Sequence, residues 1–178
     1  MRLTIWSFLV LLLCSVTPLR AADDLFIGVQ TPMDFSFSPA DDGNSFQADG
    51  APTGLLLSAS LPVLGGVSFE TYEVKLKNQG EHKFSYLLVD YFYTFPLPFV
   101  NLSMGAGAGT VNLKGDYAGQ YDRGTALQFL ARLGIPITVG FNLDFSYHVV
   151  QAELKYLSGS EYLEAGGTMW ALGASIGF

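Results

Sequence analysis

The sequence predicts an all-β fold, an eight-stranded antiparallel up-and-down transmembrane β-barrel. Three observations predict it. Segments of the chain alternate with a period of two between apolar and small or polar residues. Turn residues recur between these segments. Only 14% of residues are charged, whereas soluble domains carry roughly 25%, so the chain has too few charges to cover a water-exposed surface.

The backbone argument favours strands over helices as the spanning elements. Mean hydropathy is +0.32, yet beyond the N-terminal segment no apolar run is long enough for a spanning helix. Only helices and closed barrels satisfy all backbone polar groups in lipid. A soluble lipocalin-like barrel would also alternate, but its outer face would need charged residues. The predicted non-apolar face is instead mostly Gly, Ser, Asn, Thr and Ala, which suits a narrow lumen.

Residues 1–21 have the features of a secretory signal peptide, and the barrel is predicted over residues 22–178. Arg2 supplies the positive end, Leu3 to Val16 form the apolar segment, and cleavage is expected after Ala21 or the alanine that follows. The alternative is an uncleaved anchor. The apolar segment is shorter than the ~20 residues that a spanning helix needs, which argues against it.

Charge and cysteine content argue against nucleic acid as a partner and against disulfide bonds. Loss of Arg2 and Arg20 leaves seven of the nine basic residues against 16 acidic ones, a formal charge of −9. Such a balance disfavours nucleic acid as a partner. Cys14, the one cysteine, lies in the signal segment, so the mature chain is expected to have no disulfide.

Four strands are predicted in the first half of the chain: Leu25 to Phe37, Gly54 to Leu61, Val67 to Lys77 and Phe84 to Thr94. In the first strand, all odd-numbered residues are expected to face lipid. In the third strand the apolar face changes from odd-numbered to even-numbered residues, and a bulge near Glu70 to Tyr72 would explain the change.

Four more strands follow: Phe99 to Leu113, Thr125 to Leu133, Ile137 to Val149 and Thr168 to Phe178. A turn at Gly134 to Pro136 is expected to separate the sixth and seventh. The fifth strand carries the row Gly105, Gly107 and Gly109 on its inner face. Such a row leaves room for long side chains in a narrow lumen.

The connections alternate between short turns and longer acidic loops. The long loops are predicted at Ser38–Thr53, Lys114–Gly124 and Val150–Gly166. Short periplasmic turns and long external loops are typical of outer-membrane barrels. The run Asp41 to Asn44 with Asp49 lacks the full ligand pattern of a calcium loop, so an acidic loop is expected there and no metal site.

The closing strand has one apolar face that ends on an aromatic residue, the row Trp170, Leu172, Ala174, Ile176 and Phe178. Together with the strand count and the loop alternation, it resembles the small eight-stranded bacterial outer-membrane barrels of the OmpX type and the membrane domain of OmpA. The resemblance implies secretion to the periplasm of a Gram-negative cell and insertion into the outer membrane by the barrel-assembly machinery, with Phe178 as part of the signal. It also implies contact with outer-membrane lipid and lipopolysaccharide. It carries no internal motif that implies an activity.

Three inward-facing charges are expected to form a structural ion-pair cluster in the lumen: Glu70, Asp90 and Arg132. Buried charges need partners, and at similar heights on their strands these side chains could reach one another. The alternative is a gate or a proton path.

Several polar residues are candidates for a catalytic site, but their spacing does not predict one. Asp34, Asp144, Ser146 and His148 are expected toward the outer mouth. The last three lie on one strand at two-residue steps of roughly 6–7 Å, which does not by itself build a catalytic triad. The His-x-Ser-Asn run of lipid A deacylases is absent after His148. No cofactor is expected either, and His82 is expected to be a solvated loop residue.

Aromatic side chains are expected at both membrane interfaces. The outer interface is predicted to contain Trp170, Tyr147 and Tyr72, and the inner one Tyr91, Tyr93, Phe99 and Phe178. The function expected from all these features is a structural or surface-interaction role through the external loops. A narrow pore for small solutes is the alternative. A lipid-modifying outer-membrane enzyme is the second alternative.

Overall fold

A computed structural model of the chain contains nine strands and one short 3-10 turn in its described residues. The structure describes residues 25–39, 46–61, 64–97, 99–116, 118–159 and 162–178. The predicted signal segment and Asp41 to Asn44 therefore lie outside the described residues. The strands are β1 (Phe26–Phe37), β2 (Thr53–Leu61), β3 (Gly65–Lys75), β4 (Lys83–Pro96), β5 (Asn101–Lys114), β6 (Gly124–Thr138), β7 (Phe141–Lys155), β8 (Tyr162–Glu164) and β9 (Gly167–Gly177).

The strands close into a barrel with eight walls. Strands β1 to β7 pair antiparallel in chain order, and β9 pairs with β7 on one side and β1 on the other. The three-residue β8 pairs with the end of β7 and precedes β9 along the same wall. The Ala165 N–H donates to the Ala152 carbonyl at 2.8 Å between them. The predicted eight-stranded antiparallel up-and-down barrel is confirmed.

One end of the barrel carries the short turns. There Leu25 and Phe178 exchange two backbone hydrogen bonds, at 3.2 and 3.0 Å. The connections β2–β3, β4–β5 and β6–β7 lie at this end, and the longer connections lie at the other. We call the second end the outer mouth, following the usual orientation of such barrels. Within the described ranges, no helix has the length and apolar character needed to cross a bilayer.

Strand β1 does not keep its odd-numbered residues outward to the end. Its register against β9 shifts between Pro32 and Asp34, which marks a bulge at Met33. Phe35 is therefore buried inside and Asp34 is exposed outside. The prediction was wrong for both residues because a bulge of one residue reverses the facing of everything beyond it.

Strand β3 has no bulge. It pairs with β4 in unbroken register from Gly66 opposite Phe92 to Lys75 opposite Lys83, so the bulge predicted near Glu70 to Tyr72 is wrong. The even-numbered residues face inward along the whole strand. The pattern looked out of step because the lumen itself changes from polar at Glu70 to apolar at Tyr72.

The turn between the sixth and seventh walls lies later than predicted. Strand β6 continues through Pro136 to Thr138, which lies opposite Phe141. Gly140 has a φ of 75°, a conformation that glycine adopts without a steric penalty. Pro136 is tolerated because it lies at the strand end, where the register shifts before Thr138.

Strand β7 is also longer than predicted. It runs to Lys155 and pairs with β8, so the connection predicted at Val150–Gly166 is mostly strand. The charged residues Glu153 and Lys155 suggested a loop. They are exposed strand residues near the outer mouth, where a charge on a strand remains in water.

An apolar band surrounds the outside of the barrel. Its members lie opposite one another in neighbouring strands, as Val29 opposite Leu57, Phe69 opposite Val89 and Phe145 opposite Leu172 show. Each of these side chains is between 37% and 56% exposed. A soluble barrel would hide this face from water, so the band is a lipid-facing surface.

Candidate functional site in the barrel interior

The lumen has two layers of different chemistry. The inner polar layer lies toward the short turns and contains the buried side chains of Gln30, Ser68, Glu70, Asp90, Ser103, Gln128, Arg132, Asn142, Asp144, Ser146, His148 and Ser175. The outer apolar layer lies toward the outer mouth and contains Phe35, Leu56, Tyr72, Val74, Leu76, Phe84, Tyr86, Leu88, Val111, Ala126, Val150, Ala152, Leu154, Ala165, Met169 and Ala171. The sequence predicted a polar interior, which is true of the inner layer alone.

Gln128 is the centre of the inner polar layer. Its Nε2 donates to Glu70 Oε2 and to Asp90 Oδ1, both at 3.0 Å. The Ser68 hydroxyl donates to Asp90 Oδ2 at 2.9 Å. Strands β3, β4 and β6 thus meet through one amide that hydrogen-bonds two carboxyl groups. Sequence analysis did not single out Gln128, although it shares the inner face of β6 with Arg132.

Arg132 contacts different groups from those predicted. Its Nη1 donates to the Ser58 hydroxyl at 3.0 Å, and its guanidinium carbon lies 4.7 Å from the centre of the Phe92 ring. Among the described ion pairs, none joins Arg132 to Glu70 or Asp90. Glu70, Asp90 and Arg132 all lie in the inner layer, as predicted. Hydrogen bonds to uncharged side chains hold them there, whereas we had expected ion pairs among the three.

The glycine row of β5 makes space for the inner side chains of β4. A Cβ atom added to Gly107 would lie 1.9 Å from Asp90 Oδ1, and one added to Gly105 would lie 2.6 Å from Phe92 Cβ. Both distances are far below a van der Waals contact. The side chains that fill the space therefore come from the neighbouring strand.

Within the described part of the chain, Ser146 and His148 form an arrangement that resembles a catalytic site. The Ser146 hydroxyl lies 2.7 Å from His148 Nε2, and His148 Nδ1 lies 3.5 Å from Glu70 Oε1. The sequence spacing suggested Asp144 as the carboxylate. The carboxyl group of Glu70 in β3 lies beside the imidazole instead, but His148 Nδ1 and Glu70 Oε1 do not form a hydrogen bond. The pairing across the lumen is a consequence of barrel closure, which spacing along one strand does not show.

Two features of this arrangement oppose catalysis. Ser146 and His148 are both 0% exposed, so no substrate reaches them in this conformation. The Ser146 hydroxyl also lies 3.2 Å from Gln30 Oε1, to which it donates. A hydroxyl has one proton to donate. Because Ser146 donates this proton to Gln30, its oxygen accepts a hydrogen bond from His148 Nε2, and the imidazole is not placed to act as a base toward the serine.

The remaining polar candidates lie apart from this pair. Asp144 is buried beside β6, where a Cβ atom added to Gly134 would lie 2.9 Å from its Oδ1. Asn142 donates to the Ser175 hydroxyl at 3.1 Å. Asp34 faces outward beyond the bulge. Among the described residues, no group of three or more His, Cys, Asp or Glu side chains could hold a metal ion.

Aromatic rings pack against one another near the outer mouth. Phe46, from the described part of the first loop, lies 5.7 Å from Phe37 and 5.4 Å from Phe84. Deeper inside, the rings of Tyr72 and Tyr86 stack at 4.8 Å. The Tyr72 ring is therefore a lumen residue, and its predicted place in the outer aromatic belt is wrong. Trp170 and Tyr147 do lie together on the outer surface, 4.4 Å apart.

A cavity of about 240 Å³ lies at the outer mouth, lined by Phe46, Leu76, Gln79, His82, Leu113, Gln120, Tyr121 and Leu163. His82 is half-buried in this lining, and its Nδ1 hydrogen-bonds the Gln79 carbonyl. His82 is a loop residue as predicted, but this lining covers part of its side chain, so it is only partly solvated.

The closed barrel, its apolar band and its unequal connections define a small transmembrane β-barrel of the outer-membrane class. No family model and no curated protein matches the sequence. Solved structures do match. Neisserial surface protein A has a TM-score of 0.57 and 13% identity over 89% of this chain and 98% of its own. Outer membrane protein W of E. coli has a TM-score of 0.58 and 11% identity over 90% of this chain and 100% of its own.

A third match is the N-terminal β-barrel domain of Pseudomonas aeruginosa OprF, with a TM-score of 0.52 and 16% identity over 89% of this chain and 100% of that one. At these identities the similarity is one of fold. The chain thus has the fold of the small eight-stranded outer-membrane barrels, as its closing strand and loop pattern predicted.

Proposed function

We propose that this protein is a structural outer-membrane barrel with a filled interior, whose external loops mediate interactions at the cell surface. The observation that carries the proposal is the burial of side chains in both lumen layers. Glu70 and His148 in the inner layer and Tyr86 and Leu88 in the outer layer are all 0% exposed. In this proposal, the buried side chains of the two layers leave solutes no open path.

The described loop segments support a role at the surface, because they extend the barrel walls beyond the membrane. Ala48 bridges to Leu76 and Tyr121 bridges to Tyr156. The Asp122 N–H donates to the Lys155 carbonyl at 2.9 Å. Loops held in this way present a preformed surface, and a preformed surface binds with less ordering cost.

Placement in the cell follows from the predicted signal segment and the closing strand. In this proposal, residues 1–21 direct secretion to the periplasm and are removed. The outward row from Trp170 to Phe178 is then read by the barrel-assembly machinery. Outer-membrane lipid and lipopolysaccharide are the partners of the apolar band.

Cell fractionation and gel migration test the placement. We expect the protein in the outer-membrane fraction, with a folded band that shifts on heating, as closed barrels do when they resist detergent. Recovery in the soluble periplasmic fraction would overturn the proposal.

Solute uptake by liposomes tests the filled interior against the alternative of a narrow pore. Liposomes that contain the folded protein are expected to swell in small sugars no faster than protein-free liposomes. Swelling that increases with the amount of protein would favour the pore.

A lipid-modifying enzyme is the second alternative, and the Ser146–His148–Glu70 arrangement is the observation that favours it. We propose that the protein has no such activity, because the serine is buried. Mass spectrometry of lipid A from cells with the protein and with the variant Ser146→Ala is expected to give identical spectra. A lipid A species that disappears with Ser146→Ala would establish the enzyme.

A further inference from the structure

The outward face of strands β3, β4 and β5 changes in steps toward the outer mouth. Four successive rows of cross-strand neighbours are Phe69, Val89 and Ala108, then Thr71, Leu87 and Thr110, then Glu73, Ser85 and Asn112, then Lys75, Lys83 and Lys114. From the first row to the fourth, these side chains change from apolar through polar to basic. We call the last of these rows the lysine row (Lys75, Lys83, Lys114).

The lysine row lies at the level of lipid head groups. Leu87 is the last large apolar residue of β4 on this face, and Lys83 follows four residues further toward the outer mouth. Four residues span roughly 13 Å along a strand, or about 10 Å along the membrane normal at the usual tilt of about 40°. The ammonium groups therefore lie just above the apolar band.

Three lysines in direct register repel one another. Like charges at directly opposite positions of a sheet are destabilising. Glu73 relieves part of the repulsion, since its Oε2 lies 2.6 Å from Lys83 Nζ and its Oε1 lies 2.5 Å from Lys114 Nζ. One carboxylate against three ammonium groups leaves two positive charges on the row.

The row stands out against the charge of the whole chain. Residues 22–178 contain seven basic side chains against 16 acidic ones. Arg123 extends the row on the neighbouring wall, because its Nε donates to the Asn112 side-chain oxygen at 3.2 Å. Four of the seven basic residues thus share one side of the barrel in two neighbouring rows.

We propose that the lysine row binds the phosphate groups of phosphorylated lipids in the outer leaflet, with Glu73 positioning Lys83 and Lys114. Lysine ammonium groups bind phosphate as compact point charges. A lipid satisfies this face better than free phosphate does, because its acyl chains contact the apolar rows directly below. The inference deepens the outer-membrane placement proposed above and rests on it.

Two pairs of variants with equal charge change test the proposal. Lys83→Gln with Lys114→Gln removes two members of the row. Lys77→Gln with Lys155→Gln removes two exposed lysines outside it, one in the turn that follows β3, further from the apolar band than Lys75, and one at the outer end of β7. The full-length folded protein in phosphatidylcholine nanodiscs is titrated with diphosphoryl lipid A. We expect about thirtyfold weaker binding for the first pair and less than about twofold for the second.

The double variant in the row removes both ion-pair partners of Glu73, which could disturb folding. Single variants that keep these ion pairs separate an effect on lipid binding from an effect on folding. Lys75→Gln keeps both ion pairs of Glu73 and is expected to weaken binding about fivefold, while Lys155→Gln leaves it unchanged. Heat-dependent gel migration of each variant reports whether the barrel is folded, and cell fractionation of the unchanged protein tests the placement. A failure of the placement is therefore distinguishable from a failure of the row.

Two results would overturn the inference. Equal binding by the row and control variants would show that the lysines do not hold the lipid. Equal binding of dephosphorylated lipid A would show that phosphate is not recognised. Inorganic phosphate alone is titrated in a separate arm, and binding as tight as that of lipid A would assign the row to free phosphate and reject the lipid.

Discussion

Gln128 shows how much of the inner layer depends on a single uncharged residue. Sequence reasoning placed Glu70 and Asp90 inside the lumen, because alternation along a strand fixes facing. Arg132 was expected to neutralise them, because a charged residue is the partner for a carboxylate that can be recognised from residue type alone. The partner is an amide across the barrel, and the distance between walls depends on closure, which the sequence does not state.

Replacing Gln128 tests this account of the inner layer. The Gln128→Leu variant leaves two buried carboxyl groups without their shared donor, which is expected to lower the free energy of unfolding by about 2–3 kcal/mol. The control is Gln151→Leu, which changes the exposed outer face of β7 and is expected to cost less than about 0.5 kcal/mol. Urea unfolding in detergent micelles measures both, and equal costs would contradict the role of Gln128.

Gly107 and Ala106 form a second matched pair at the residue scale. Gly107→Val would place a branched side chain against Asp90, at a site where even a Cβ atom lies 1.9 Å from Oδ1. Overpacking of this kind typically costs about 1–3 kcal/mol. Ala106→Val projects into lipid from the same strand and is expected to be neutral in the same unfolding assay. A neutral Gly107→Val would refute the close fit between β4 and β5.

At the scale of strands, their number and pairing followed from the sequence, while several facings and boundaries did not. Alternation and turn residues located all eight walls. In β3 the predicted bulge was wrong because Tyr72 continues the inner face of Glu70, although the lumen changes from polar to apolar between them. In β1 the bulge at Met33 was not predicted, although Pro32 beside it is a residue type that strands tolerate at bulges. The proline at position 136 suggested a turn, whereas the turn needed the positive φ of Gly140.

The closing strand carries a prediction about assembly. Its outward residues Trp170, Leu172, Ile176 and Phe178 are 37% to 73% exposed, so the lipid-facing row is available to an assembly factor. We expect deletion of Phe178, or Phe178→Ala, to leave most of the protein outside the outer membrane.

The matched change for this experiment is Phe99→Ala, which removes another exposed aromatic ring, 79% exposed, near the same end of the barrel. This variant is expected to assemble normally. Heat-dependent migration of outer-membrane fractions measures the assembled share. Normal insertion of the protein lacking Phe178 would reject the assembly signal and leave the barrel fold untouched.

At the scale of the whole molecule, the barrel combines an apolar exterior with an interior that is apolar in one half and polar in the other. The exterior was predictable, because lipid selects apolar residues on every wall. The interior was not, because a narrow lumen can be filled by either chemistry. Leu56, Phe84 and Leu88 fill the outer layer much as side chains fill a soluble core. Buried side chains fill both layers, which supports the proposed role of the barrel as a membrane-anchored scaffold for its loops.

Single-channel recording in planar lipid bilayers tests this central claim most directly. Insertion is verified by the heat-dependent band of the same preparation, so a silent bilayer cannot be attributed to missing protein. A barrel blocked by Glu70, Gln128 and Tyr86 is expected to give no stable conductance above that of the protein-free bilayer. Large, stable conductance steps from the folded protein would contradict the filled interior.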